Sequence, residues 1–260
     1  MPTLLITGAN RGLGLELTRL YLEDGWRVIA ASRRPQSRGL ETLAARHPGT
    51  LQRPELDVTD PAAIAAVAAE FAGQPIDLLF HNAGVYGPDA APFGETPADE
   101  WLEVFRVNAI APLKLTEALV QNVASSRGKL VAVMTSLMGS VADNGSGGYY
   151  PYRSSKAALN MVAKSLSVDL RALGITVVAI HPGWARTDMG GEQAPLSVGD
   201  SCAGVKRVLA GAPDADNGGF PGWAGARLPW FTPPPSAADR PPAPHCRHPR
   251  SCCPPTPPPR

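Results

Sequence analysis

Short apolar runs alternate with segments of helical periodicity along the first 230 or so residues. Residues 3–6, 27–31, 76–80, 130–134 and 176–180 are rich in Leu, Ile and Val and lack clean polar alternation. Strands covered on both faces read this way, because neither face has to meet water. Residues 51–56 give a weaker signal, since Pro54 fits only an edge or distorted strand. Helical patterns fill the gaps. One spans about residues 15–24 and another about 97–107. Asp60 with Pro61 marks a helix start, Asp as the cap and Pro in the first position, ahead of an alanine-rich run to Phe71. From 152 to 173, Leu159, Val162, Leu166, Leu170 and Leu173 recur at three- and four-residue spacing, and Gly174 is the stop. Ser197 and Asp200 have capping-box spacing ahead of a helix reaching about Ala210. Strand–helix alternation of this kind predicts an α/β fold, a doubly wound parallel sheet of about seven strands with helices on both faces.

Composition changes this picture at one place. Of 28 prolines, twelve fall in residues 231–260, and from Thr232 onward there is no Leu, Ile, Val or aromatic residue. Such a stretch cannot bury enough apolar surface to offset its ordering entropy, so a single domain over residues 1–230 and a disordered tail over 231–260 are expected. Translation of a GC-rich coding sequence in another frame would also produce so abrupt a shift. His245, Cys246, His248, Cys252 and Cys253 are ligand types, but their spacing matches no closed zinc pattern. The remaining cysteine, Cys202, stands alone in 1–230, which excludes a disulfide framework there. A net charge of +1 gives no pull toward nucleic acid or an anionic membrane. No apolar run has membrane-spanning length, and no secretory signal pattern precedes the first strand, so the cytoplasm is the expected location.

Candidate chemistry begins where the first strand ends, in Thr7-Gly8-Ala9-Asn10-Arg11-Gly12-Leu13-Gly14. Gly8 suits a tight turn, Gly12 lets the backbone approach a pyrophosphate at the positive end of the following helix, and Gly14 lets that helix pack closely. The spacing G-x-x-x-G-x-G resembles the turn of the short-chain dehydrogenase/reductase family, and the family's other elements follow in order. They are Asp57 in Leu56-Asp57-Val58-Thr59, His81-Asn82-Ala83-Gly84 in place of N-N-A-G, Asn108, Ser136, Tyr152-x-x-x-Lys156, and His181-Pro182-Gly183 with Thr187. The resemblance covers nearly all of 1–230. It implies a Rossmann fold and catalytic roles for Asn108, Ser136, Tyr152 and Lys156. The implied cofactor contacts are Gly8, Asn10, Arg11, Gly12, Leu13, Gly14, Ser32, Arg33, Asp57, Val58, Asn82, Ala83, Gly84, Tyr152, Lys156, Pro182, Gly183 and Thr187.

An acid that would bind a ribose 2′-hydroxyl is expected at the end of the second strand, about twenty residues beyond the glycines. Ala30-Ala31-Ser32-Arg33-Arg34 has none. Arg33 and Arg11 instead suit a 2′-phosphate through charge-assisted hydrogen bonds, which favours NADP(H) over NAD. Tyrosine at its ordinary pKa of about 10 is a poor proton donor or acceptor at neutral pH. A lysine four residues on shares its helix face and stabilises the tyrosinate. Tyr152 and Lys156 have that spacing, whereas Tyr149 and Tyr150 meet Arg153 and Ser154. In the family, Ser136 would hydrogen-bond the substrate carbonyl and Asn108 would hold a water of the proton relay.

The expected activity is therefore NADPH-dependent reduction of a carbonyl in a small molecule. The long glycine-rich loop 138–148 and the stretch from His181 to Gly191 are similar to C-factor-like and sniffer-like carbonyl reductases. That similarity leaves open a signalling or cofactor-sensing protein with little turnover. The family's association through long helices implies a homodimer.

Overall fold

The computed structural model describes residues 1–88, 93–212 and 217–230. The proline-rich segment 231–260 lies outside the described residues, as does the tail expected there. The strands are β1 (Thr3–Thr7), β2 (Arg27–Ala31), β3 (Leu51–Gln52), β4 (Leu78–His81), β5 (Leu130–Met134) and β6 (Thr176–Ile180). They form one parallel sheet of order β3-β2-β1-β4-β5-β6. The helices are α1 (Gly12–Glu23), α2 (Arg38–Arg46), α3 (Pro61–Glu70), α4 (Ala98–Phe105), α5 (Ala111–Ala124), α6 (Tyr150–Asp169) and α7 (Val198–Ala210).

The continuous apolar runs follow from burial on both faces. Leu5, Ile29, Leu79, Val131 and Val177 meet α3, α5 and α6 through Ile64, Val67, Leu115, Leu119, Leu159 and Leu166. Their neighbours Leu4, Val28, Leu78, Ala132 and Val178 meet α1, α2 and α7 through Leu17, Leu40 and Val205. Each strand thus serves two cores, and a single polar alternation would have damaged one of them.

Where the structure departs from the sequence pattern, the causes are local. Among the described residues six strands form instead of about seven. Beyond β6 the seventh position is held only by isolated bridges, Val178 to Gly219 and His181 to Gly222. Pro221 has no N–H to give, and Gly218 has a φ of +74°, so no continuous ladder forms. β3 is a two-residue edge strand that stops before Pro54. The segment expected at 97–107 is the start of a longer run, in which a π turn (Arg106–Ile110) joins α4 to α5. Pro112 sits in the first turn of α5, where its missing N–H costs little. α2 has no counterpart in the sequence reading. Both expected caps form: Asp60 accepts from the Ala62 N–H at 2.8 Å and Ser197 from that of Asp200 at 3.0 Å.

The strand order reverses between β1 and β4. Their following loops diverge to opposite faces there and leave a crevice at the carboxyl ends of the strands.

Candidate active site

A cavity of about 230 Å³ occupies that crevice. Its floor is the glycine turn. Gly8 and Gly12 have φ of +66° and +54°, and a Cβ on Gly14 would lie 2.3 Å from the Gly8 carbonyl oxygen and 2.5 Å from Asn82 Nδ2. α1 therefore starts flush against the turn, and only glycine permits it. Arg11 caps α1 with extended backbone and no side-chain capping bond. The first-turn N–H groups, with Gly12, Leu13 and Gly14 lining the cavity, suit an anion such as a pyrophosphate. The turn is held from the next strand. Asn82 Nδ2 donates to the carbonyls of Thr7 and Gly8 at 2.9 and 3.2 Å, and Thr7 Oγ1 accepts the N–H groups of Asn82 and Ala83 at 3.2 and 3.0 Å.

Ser32 and Arg33 line the cavity beside Asp57 and Val58. Ser32 is 3% exposed and its hydroxyl has no hydrogen-bond partner. A buried hydroxyl left in this way fits a polar ligand group, since its desolvation is otherwise uncompensated. Asp57 Oδ1 accepts the N–H and the hydroxyl of Thr59 at 2.9 and 2.7 Å. These bonds, with a smaller contribution from Arg33, hold its carboxyl below the usual range. Arg11 Nη1 instead pairs with Asp188 Oδ2 at 2.6 Å across the mouth of the cavity. Both side chains are mostly exposed, so the pair is weak enough for a ligand phosphate to displace.

At the inner end Tyr152 and Lys156 lie on the first turns of α6, both buried. Lys156 Nζ donates to the Met134 carbonyl at 2.8 Å and sits 5.7 Å from the centre of the Tyr152 ring. Burial pushes the Tyr152 phenol up to about 12, opposed by a hydrogen bond from Ser136, while Tyr86 raises it further. Burial also pulls Lys156 down to about 8. The Tyr152 shift is therefore set by desolvation, with Ser136 and not Lys156 as the group that lowers it. Ser136 Oγ accepts the Met138 N–H at 3.1 Å, which leaves its own hydrogen to donate.

Asn108 is fully buried on the π turn. Its Oδ1 accepts the Val85 N–H at 2.9 Å, and Nδ2 donates to the Val85 carbonyl at 2.8 Å and to Ser155 Oγ at 3.0 Å. The carboxamide braces loop 82–85 against α6, so its side chain is already engaged.

Of the residues expected to hold a cofactor, all but Gly183 line the cavity. Gly183 has a φ of +80°, and a Cβ there would meet Leu196 and Trp223 at 2.8 Å, so it serves packing behind the wall. Glu103, Val107, Asp188 and Met189 also line the cavity; Val107, Asp188 and Met189 lie in stretches that the sequence singles out, but none of the four was expected as a site residue. His81 is buried, its Nε2 is 2.8 Å from Thr116 Oγ1, and burial drops it to about 3.

Comparison with known proteins agrees with this geometry. The short chain dehydrogenase family model matches residues 2–195. The C-signal of Myxococcus xanthus is 42% identical over 165 residues, covering 64% of this chain and 99% of that protein. The carbonyl reductase Sniffer of D. melanogaster superposes with a TM-score of 0.83 at 34% identity, over 88% of this chain and 100% of Sniffer. An NADPH-bound carbonyl reductase from chicken fatty liver superposes with a TM-score of 0.82 at 34% identity, over 88% and 99%. With its parallel sheet, its glycine turn and the Tyr152–Lys156 pair in place, this chain belongs to the short chain dehydrogenase family of oxidoreductases.

Proposed function

We propose that the chain is an NADPH-dependent carbonyl reductase acting on an aldehyde, ketone or quinone. The observation that carries this reading is the Tyr152–Lys156 pair in the wall of a cavity whose other end suits a dinucleotide, with Ser136 in hydrogen-bond reach of the Tyr152 hydroxyl. The likeness to Sniffer and to the NADPH-bound chicken enzyme supports it. Ser32 and Arg33, with no acid at the end of β2, favour the 2′-phosphate form of the cofactor.

When bound, the reduced nicotinamide supplies a hydride to the carbonyl carbon. The chain's own groups manage the oxygen. Ser136 donates a hydrogen bond to the carbonyl oxygen, and the Tyr152 O–H bond breaks as an O–H bond forms on that oxygen. Lys156, charged at neutral pH, stabilises the tyrosinate left behind. Asn108 keeps loop 82–85 against α6 while this happens.

Purified protein with NADPH and a panel of aldehydes, ketones and quinones tests the activity. Tyr152→Phe should cut turnover by at least about 100-fold while NADPH still binds; full activity in that variant would overturn the mechanism. A second reading rests on the 42% identical relative named C-signal. Tight NADPH binding with no oxidation on the whole panel would favour a signalling role over catalysis.

A further inference from the structure

Of two tyrosines that the reaction does not use, one packs on Tyr152 and the other packs on the first. The Tyr86 ring lies 4.5 Å from that of Tyr152 at an interplanar angle of 32°, and Tyr149 meets Tyr86 edge-on at 5.7 Å and 69°. The Tyr86 hydroxyl donates to Met138 Sδ at 3.8 Å, two residues beyond Ser136. Tyr86 therefore stands between the Ser136 loop and Tyr152, next to where the carbonyl must be presented. Its phenol is raised by burial and by Tyr149, with Arg153 opposing, so it remains a donor at neutral pH. A thioether is a weak acceptor, and a substrate oxygen would compete for that hydrogen.

The backbone adds an independent observation. Tyr149 has φ of +52° and ψ of +37°, a left-handed conformation that crowds a Cβ. It follows Gly147 and Gly148, at +66° and +65°, so three consecutive left-handed residues turn the chain into α6. Glycine suits the first two places, and Gly or Asn would suit the third with less strain. A tyrosine there directs its ring onto Tyr86 at the cost of that strain. Arg153 pins the same loop, donating to the Met138 carbonyl at 3.5 Å and to Ser146 Oγ at 2.9 Å.

We infer that Tyr86 and Tyr149 are specificity-determining residues, an aromatic wall in which Tyr149 buttresses the Tyr86 ring edge-on, favouring carbonyl compounds with a planar unsaturated ring over saturated ones of equal size. The inference rests on the carbonyl-reductase reading. Tyrosine offers a large stacking face with only two side-chain torsions to immobilise, so such a wall selects by shape at small entropic cost.

Benzaldehyde and cyclohexanecarbaldehyde, similar in size and different in planarity, provide the test, with wild type compared to Tyr86→Leu and Tyr149→Gly. The ratio of kcat/KM for the aromatic over the saturated aldehyde should fall about two- to tenfold in each variant, mostly through KM. The Kd for NADPH should not change. Tyr149→Gly should melt no lower than wild type, because it removes the left-handed strain together with the ring, and this separates lost recognition from lost folding. Equal losses for both aldehydes, or an unchanged ratio, overturn the wall and leave the reductase reading standing. No NADPH oxidation with either aldehyde or with the wider panel, while NADPH binds, overturns both.

Discussion

Tyr152 and Lys156 are moved by one cause, burial, in opposite directions on the pH scale, and each shift favours the uncharged form. Tyr152, pushed up to about 12, keeps its proton throughout the working range and stays a donor. Lys156, lowered to about 8, holds its charge below that pH and loses it above. Since kcat/KM reports the free enzyme, carbonyl reduction should be level between pH 6 and about 7.5 and fall as pH rises through about 8. A profile that stays flat to about pH 10 would remove Lys156 from its role. His81 shows burial acting without consequence for charge. Thr116 gives its one hydrogen to the Pro112 carbonyl, so its oxygen accepts from His81 Nε2–H, and the ring is a neutral donor at physiological pH. The Y-x-x-x-K spacing is legible in the sequence because both residues share one helix face. The contact of Tyr86 with Tyr152 and the pairing of Asp188 with Arg11 are not, because those residues arrive from other segments and meet the site only through the fold.

At the scale of elements, the loop between Ser136 and α6 is tied down from four directions. Besides Arg153, Asn160 Nδ2 donates to the Gly139 carbonyl at 3.2 Å, and His181 Nδ1 accepts the Leu137 N–H at 3.3 Å. The fourth tie is the end of the described chain: Ser140 Oγ donates to the Pro229 carbonyl at 2.6 Å and the Val141 N–H to that of Trp230 at 3.2 Å. Trp230 is itself stacked on Phe220 at 4.7 Å and 25°. Composition places Trp230 at the edge of the domain, yet it braces the loop that carries Ser136 toward Tyr152. Trp230→Ala should lower stability on the order of 1 kcal/mol and raise KM for the carbonyl several-fold, with NADPH affinity unchanged. Calorimetry and steady-state kinetics would check this, and an unchanged KM would detach the segment around Trp230 from the site. The π turn that buries Asn108 belongs to this scale too. The helical pattern at about 97–107 runs into its first two residues without a break, because a one-residue widening leaves the hydrophobic period nearly intact.

For the whole molecule, the crevice between β1 and β4 is lined by segments from both sides of the strand reversal. A ligand there bridges the β1–β2 half and the β4–β6 half, so binding stabilises the fold as a unit. At a concentration about 100 times its Kd, NADPH should add about 2.7 kcal/mol to the unfolding free energy, seen as a higher Tm. NADH at the same concentration should add less. Arg33→Ala should shrink the NADPH shift and spare the NADH shift; equal losses would count against a 2′-phosphate contact at Arg33. Among the described residues no helix is long and apolar enough to cross a membrane.

The sequence by itself determined the parallel sheet, the glycine turn, the caps at Asp60 and Ser197, and the Tyr152–Lys156 pair. All of these depend on short-range spacing: strand runs buried on both faces, helix periods and turn residues whose constraints are local. Only the tertiary structure decided that the seventh strand is reduced to bridges and that Gly183 packs against Leu196 and Trp223 rather than lining the cavity. It also decided that Arg11 faces Asp188, that the Asn108 carboxamide is spent on Val85 and Ser155, and that Tyr86 covers Tyr152. Each of these is a contact between residues far apart in the chain, set by how the loops cross at the end of the sheet, and no local pattern encodes that crossing.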